Sequence, residues 1–293
     1  MQETRRQTRQ LNLRPGSAAR TAGGAAAIQG SVFFIGNATV LIRFAGFTIL
    51  TDPTFIHMHE EVSIGYGMHS KRLTNPALEI ADLPPLDFVL LSHFHGDHFD
   101  QVAEAELGKT LPIVTTAEAA RELEKRGFEN TQALGTWEAI SIAKGDAVLH
   151  ITALPARHGP PVVDLLLPEV MGSLLEWELP GRGVVYRMYI TGDTLMIDEL
   201  HEIRRRHPSI DLALLHLGGT MVLGILVTMD AKQGLEALQV VQPQMAIPIH
   251  YNDYDVFKSP LEEFQLAVAE AGLASKVRYL SHGDTYTFKV GTP

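Results

Sequence analysis

Leu86-Asp87-Phe88-Val89-Leu90-Leu91-Ser92-His93-Phe94-His95-Gly96-Asp97-His98 is an apolar run that breaks into four metal-competent side chains within six residues. A run of aliphatic and aromatic residues of this length reads as a buried strand, and the polar burst from Ser92 as the loop at its C-terminal end. In a sheet covered by helices, strand ends are where a concave site opens without breaking the core. His93 and His95, two apart on extended chain, point to one side and can grip one ion. Gly96 lets the chain turn, so that Asp97 and His98 face a second ion beside the first. A solvated histidine-rich loop is the alternative, and the order of the four ligands around a glycine speaks against it.

The hexapeptide resembles the H-x-H-x-D-H signature of the metallo-β-lactamase superfamily, and the resemblance extends over roughly residues 31–290. Asp52, in Leu50-Thr51-Asp52-Pro53, matches that family's acidic residue that orients the metal histidines. His158, in Ala156-Arg157-His158-Gly159, matches its third histidine of the first metal. Asp193, in Thr191-Gly192-Asp193-Thr194, matches the bridging carboxylate, and His250, in Ile247-Pro248-Ile249-His250, the last histidine on the second metal. Each of these follows an apolar strand, a shared context more specific than the hexapeptide alone. The fold this implies is α/β (α+β), a four-layer αβ/βα sandwich with two sheets face to face, helices outside and the site along one edge. Within the superfamily the chain is most similar to the branch of L-ascorbate-6-phosphate lactonase and N-acyl-phosphatidylethanolamine phospholipase D. That likeness rests on Gly36-Asn37-Ala38-Thr39, Thr51-Asp52-Pro53, and Gly218-Gly219-Thr220 leading to Thr228-Met229-Asp230. The link Met221 to Val227 is longer and greasier than the branch leads one to expect, so neither enzyme's substrate is carried over.

The ligand set implied is His93, His95 and His158 for one ion, Asp97, His98 and His250 for the other, with Asp193 between them. Two divalent ions about 3.5 to 4 Å apart share a water and lower its pKa, giving a hydroxide nucleophile near pH 7. A metal then stabilises the growing oxyanion. Asp97 is the expected proton shuttle. His216, at the end of the Leu212 to Leu215 strand, is expected near the site rim as a further catalytic candidate, touching substrate or supporting the metal ligands from behind, or else merely closing a strand. The chain has no cysteine, so every ligand is nitrogen or oxygen. Such ligation suits zinc, the first expectation for the two divalent ions, with manganese or iron as alternatives.

Composition fits one large enzyme domain: 293 residues, 45% hydrophobic and 20% charged. Acidic residues outnumber Lys and Arg by 34 to 24, a net charge of −10 that repels polyanions and argues against nucleic acid as partner. No apolar stretch approaches the roughly 20 residues of a membrane span. Residues 1–30 read as a flexible arm, with Arg5, Arg6, Arg9, Arg14 and Arg20 against Glu3 alone and then an Ala/Gly tract; residues 31–293 read as the hydrolase domain. The arm lacks the apolar segment of a secretory signal, so a cytoplasmic location is expected. Its arginine-rich composition leaves a transit role open beside a disordered or partner-docking one.

From Ser31 onward, strands are predicted at Val32 to Ile35, Val40 to Phe44, Phe47 to Leu50, Phe88 to Leu91, Ala139 to Ile142, Ala147 to Leu154, Leu174 to Leu179, Val184 to Ile190, Leu212 to Leu215 and Met245 to Ile249. Helices are predicted at Ala117 to Arg126, Asp198 to Arg206, Ala231 to Val240 and Leu261 to Ala271, the last with Ser259-Pro260 as cap and first turn. His57, His59 and His69, near Gly65-Tyr66-Gly67, read as a solvated loop at the pocket mouth, and His282 as a chain turn. The greasy Val162 to Leu167 segment after His158 is a substrate wall or a homo-oligomer contact.

The function expected is a dinuclear metal hydrolase acting on a small ester, lactone, amide or phosphodiester with a hydrophobic portion. A β-lactamase of the antibiotic-resistance kind is disfavoured, since those enzymes lack a bridging aspartate. The alternatives are a mononuclear iron dioxygenase type of relative and a non-catalytic metal-bearing scaffold.

Overall fold

The computed structural model of the chain describes residues 9–13, 28–65 and 67–291. Two seven-stranded sheets dominate it. In spatial order the first contains Thr285–Val290, Ile28–Gly36, Thr39–Phe44, Phe47–Thr51, Phe88–Leu90, Ile113–Thr115 and Thr131–Ala133. The second contains Arg9–Asn12, Ala139–Lys144, Ala147–Leu154, Gly172–Leu179, Gly183–Ile190, Leu212–His216 and Met245–Ile249. Each sheet joins antiparallel hairpins to a parallel half, which begins at the pairing of Phe47–Thr51 with Phe88–Leu90 and of Gly183–Ile190 with Leu212–His216.

Side-chain alternation places the layers. Val32, Phe34, Val40, Ile42 and Ile49 pack with Leu149, Ile151, Met188, Leu214 and Ile247 of the other sheet in one buried core between the sheets. Their neighbours Leu41, Leu50, Val89 and Leu91 face outward onto helices Gln101–Glu106 and Ala117–Lys125. On the far side, Leu174, Tyr189, Ala213 and Leu215 meet helices Glu199–Arg206, Ala231–Val241 and Leu261–Glu270. Strands apolar on both faces are what a sheet buried on both faces requires. The result is the helix, sheet, sheet, helix sandwich expected from the resemblance.

The predicted strands and helices all form, with ends shifted by a few residues. Helix Gln101–Glu106 and the three-residue strands Ile113–Thr115 and Thr131–Ala133 were not predicted, because segments this short carry no readable period. The cap of the last helix differs from the prediction: Pro260 occupies the N-cap itself. Ser259 Oγ instead accepts from Ala231 N at 3.0 Å and donates to Glu263 at 2.8 Å, tying the starts of two helices together. Within the N-terminal stretch, Arg9–Asn12 pairs in parallel with Ala139–Lys144 as the edge of the second sheet, and Ile28 already belongs to the Ile28–Gly36 strand. Residues 1–8 and 14–27 of the predicted arm, and Tyr66, lie outside the described residues. No helix among the described residues is long and apolar enough to cross a membrane.

Candidate metal centre

The C-terminal ends of five parallel strands meet at one edge of the sandwich. Thr51 leads to Asp52, Leu90 to the Ser92 to His98 turn, Ile190 to Asp193, His216 ends its own strand, and Ile249 leads to His250. His158 arrives from the antiparallel part, after Ala147–Leu154. The backbone here is strained: Asn37, Asp52 and His250 hold left-handed φ of 53°, 33° and 59° although none is glycine. The chain turns at Gly96 as expected, with His98 N and Phe99 N donating to the His95 carbonyl at 3.0 and 2.8 Å, and the glycine has a second reason. A Cβ there would lie 2.6 Å from Ser63 O, so glycine is needed to let the Ser63 backbone approach. At Gly192, φ is 63° and a Cβ would lie 2.6 Å from Met171 O, so only glycine delivers Asp193 to this point.

His93, His95 and His158 converge as one buried group, and Asp97, His98, Asp193 and His250 as another, the ligand atoms within each lying within 4.8 Å of one another. In the first group His93 Nε2 is 3.2 Å from His95 Nδ1. His158 Nδ1 lies 2.8 Å from the Val227 carbonyl and donates to it, which turns the Nε2 lone pair toward its partners. In the second group His98 Nε2 faces His250 Nε2 at 3.2 Å. The opposite nitrogens are already engaged, His98 Nδ1 with Asp52 at 3.4 Å and His250 Nδ1 with the Leu217 carbonyl at 3.1 Å. Asp97 Oδ2 stands 3.5 Å from His250 Nε2, and Asp193 Oδ1 stands 3.4 Å from His98 Nε2. Thr228 donates to the other oxygen of Asp193 at 2.8 Å.

Oδ1 of Asp97 and Oδ1 of Asp193 are buried without a hydrogen-bond partner. Asp193 Oδ1 has only long contacts, to His98 Nε2 at 3.4 Å and His250 Nδ1 at 3.5 Å; a buried carboxylate oxygen without a hydrogen bond is costly, and a cation is the partner this donor set suits. Electrostatics agree. Burial first, then the charges of His98, His95 and His158, drive His93 well below the usual imidazole range. Burial and His158 bring His95 down to about 3. His158 is lowered too, chiefly by burial. These are neutral imidazoles with lone pairs to offer. Burial also pushes His98 down, but Asp193 and Asp97 outweigh it and hold its pKa well above the usual value. Burial raises Asp193, yet the charges of His250 and His98 carry it well below the carboxylate range, so it stays ionised. Asp193 belongs to the second group by distance, and its charge also acts on His93, His95 and His158.

Asp52 sits behind the centre. Its Oδ1 accepts from Ser92 N at 2.7 Å, and its Oδ2 lies 3.4 Å from both His98 Nδ1 and His216 Nε2. Asp52, His98 and His216 also form a compact group of potential ligands, but His98 has its Nε2 turned to the Asp97 side. His216 departs from its expected place on the rim: it is fully buried, stacked under His98 at 5.9 Å and bonded to Thr191. It lies against Asp52 and His98, on the side of them away from the cavity at His95 that Ser63 and Gly96 line. His57, His59 and His69 are exposed, as expected of a solvated loop.

Asn37, Asp253 and Arg72 were not assigned roles from sequence. Asn37 Nδ2 donates to the Asp97 carbonyl at 2.6 Å, and its own carbonyl accepts from His250 N at 2.8 Å, so one residue holds two loops of the second group. Its backbone N–H donates to Asp253 Oδ2 at 2.9 Å. Asp253 in turn lies 3.8 Å from buried Arg72 and 3.2 Å from His282, which faces this carboxylate in addition to turning the chain. The Gly36-Asn37-Ala38-Thr39 motif flagged the position, but contacts to residues 60 and 216 positions away were invisible.

Compared with known proteins, residues 48–251 match the family described as the beta-lactamase superfamily domain. A UPF0173 metal-dependent hydrolase of Archaeoglobus fulgidus is 31% identical over 209 residues, 69% of this chain and 82% of that protein. Among solved structures, an isothiocyanate hydrolase from Delia radicum gut bacteria superposes with a TM-score of 0.73 at 21% identity, over 89% of this chain and 99% of that one. CmlA, a diiron β-hydroxylase from Streptomyces venezuelae, shares the fold with a TM-score of 0.60 at 16% identity, over 91% of this chain and 54% of that one. The match over most of the sandwich, and the relative alignable across most of its own length, make this chain a member of the metallo-β-lactamase superfamily, among its metal-dependent hydrolases.

Proposed function

We propose that the chain is a dinuclear metal hydrolase that cleaves a small ester, lactone, amide or phosphodiester substrate bearing a hydrophobic portion. The observation that carries this is the pairing of two ligand groups in one buried edge, with unpartnered oxygens on Asp97 and Asp193. His93, His95 and His158 would hold one ion, Asp97, His98 and His250 the other, and Asp193 both. When bound, two such cations supply Lewis acidity and a water acidic enough to attack at neutral pH; zinc fits the donor set, as do manganese and iron. Asp52 and His216 keep His98 aimed, and the Val227 carbonyl keeps His158 in one tautomer. Asp97, with Oδ1 free of hydrogen bonds, holds the proton taken from the attacking water and returns it to the leaving group.

A screen of lactones, esters, amides and phosphodiesters with metal-replete and chelator-stripped protein tests the proposal. Metal-dependent hydrolysis of at least one class is expected. Oxygen uptake with iron bound and no hydrolysis in any class would favour an oxidative reaction at the same ligands.

A further inference from the structure

His95, 9% exposed, is the least buried of the seven proposed ligands, so access to the centre is through its side. A cavity of about 640 Å³ opens there, within the size range of small-molecule sites. A second cavity of about 510 Å³ under the Met221–Val222/Ile225–Leu226 hairpin touches none of the proposed ligands. The wall beside His95 has two chemistries. Part of it is Phe94 with Leu165, Leu166, Leu167 and Pro168. Leu165 and Leu166 stand 84% and 60% exposed, on a segment fixed to the centre because Asp164 Oδ1 accepts from His158 N at 3.1 Å. The rest includes Glu104, Glu118, Glu122 and Arg126. Arg126 is the one cation of that lining and is neutralised twice, by Glu104 at 3.1 Å and Glu122 at 2.8 Å, while it lies over the Phe94 ring at 4.5 Å. Carboxylates outnumber cations, and no cation among the described lining residues is left unpaired for a phosphate or carboxylate.

Resting on the hydrolase reading and narrowing it, we infer that this cavity binds the chain of an uncharged acyl compound, laid along Leu165 to Pro168. An anionic group carried on that chain is rejected by Glu104, Glu118 and Glu122. Leu165 and Leu166 are the specificity-determining residues, and Glu118 contributes the charge selection.

The test uses metal-replete protein and alkyl hydroxamic acids, whose head group chelates a metal while the chain reports on the cavity. Affinity is expected to rise roughly threefold per methylene from acetyl to octanoyl. A terminal carboxylate on the octanoyl chain should cost about tenfold or more, and a terminal ammonium much less. Leu165→Ser with Leu166→Ser should flatten the chain-length series, and Glu118→Lys should shrink the carboxylate penalty, both with metal content unchanged. Binding without a chain-length trend, a trend that survives the double serine variant, or equal affinity for the carboxylate overturns the inference and leaves the metal centre standing. Failure of every hydroxamate to bind metal-replete protein overturns both. Loss of the two-metal count with the chain-length trend intact overturns the dinuclear reading alone.

Discussion

Replacing Asp193 by alanine removes the oxygen that faces His98 and leaves Thr228 without its acceptor, while no apolar contact in the core is lost. Asp193→Ala and His98→Ala are each expected to lower hydrolytic turnover by roughly 100-fold or more with the circular dichroism unchanged. Near wild-type turnover in either would show that the second ion is not catalytic. Asn37→Gly keeps the left-handed backbone and deletes only the donation to the Asp97 carbonyl. Affinity for the second ion should fall by about 10- to 100-fold with the first unaffected, as read by metal titration. The buried pair of Asp253 and Arg72 gives a pH dependence. Burial would raise Asp253, but His282 first and then Arg72 hold it below the usual 3.8. Its stabilisation is therefore complete above 3.8 and disappears as pH falls through the lower folded value. Asp253→Asn should cost about 3 kcal/mol near neutrality and progressively less on acidification, measured by urea unfolding at a series of pH values. Legibility divides along the same line. His93, His95, Asp97 and His98 lie within six residues and announce themselves, whereas the Asn37 side chain acts on a backbone carbonyl, that of Asp97, 60 positions away.

Long strands were readable, Ala147–Leu154 because its residues alternate and Gly183–Ile190 because it is a long run of β-branched, aromatic and aliphatic residues between glycines. The three-residue strands beside Phe88–Leu90 were not, since their place is set by the helices Gln101–Glu106 and Ala117–Lys125 that carry the chain back to the sheet edge. The two greasy segments separate in the same way. Only the segment after His158 borders the cavity at His95, and the Met221–Val222 hairpin borders another. That hairpin still matters to the centre, because Val227 and Thr228 directly after it hold His158 and Asp193. Ser259 links the starts of two helices, so Ser259→Ala should cost about 1 kcal/mol in denaturant stability with turnover unchanged.

The sandwich brings five strand ends from two sheets to one edge, and that is why side chains scattered from Asp52 to His250 meet. Both sheets repeat one plan of antiparallel hairpins followed by parallel strands, so each contributes ligands from the C-terminal ends of its parallel half. The plan could be named from sequence only through a resemblance, since strand order leaves no mark on local periodicity. What two facing groups of ligands require above all is two ions. Elemental analysis of folded protein reconstituted with excess zinc or manganese, then freed of unbound metal, should find close to two ions per chain. One ion or fewer in such a sample would contradict the dinuclear centre.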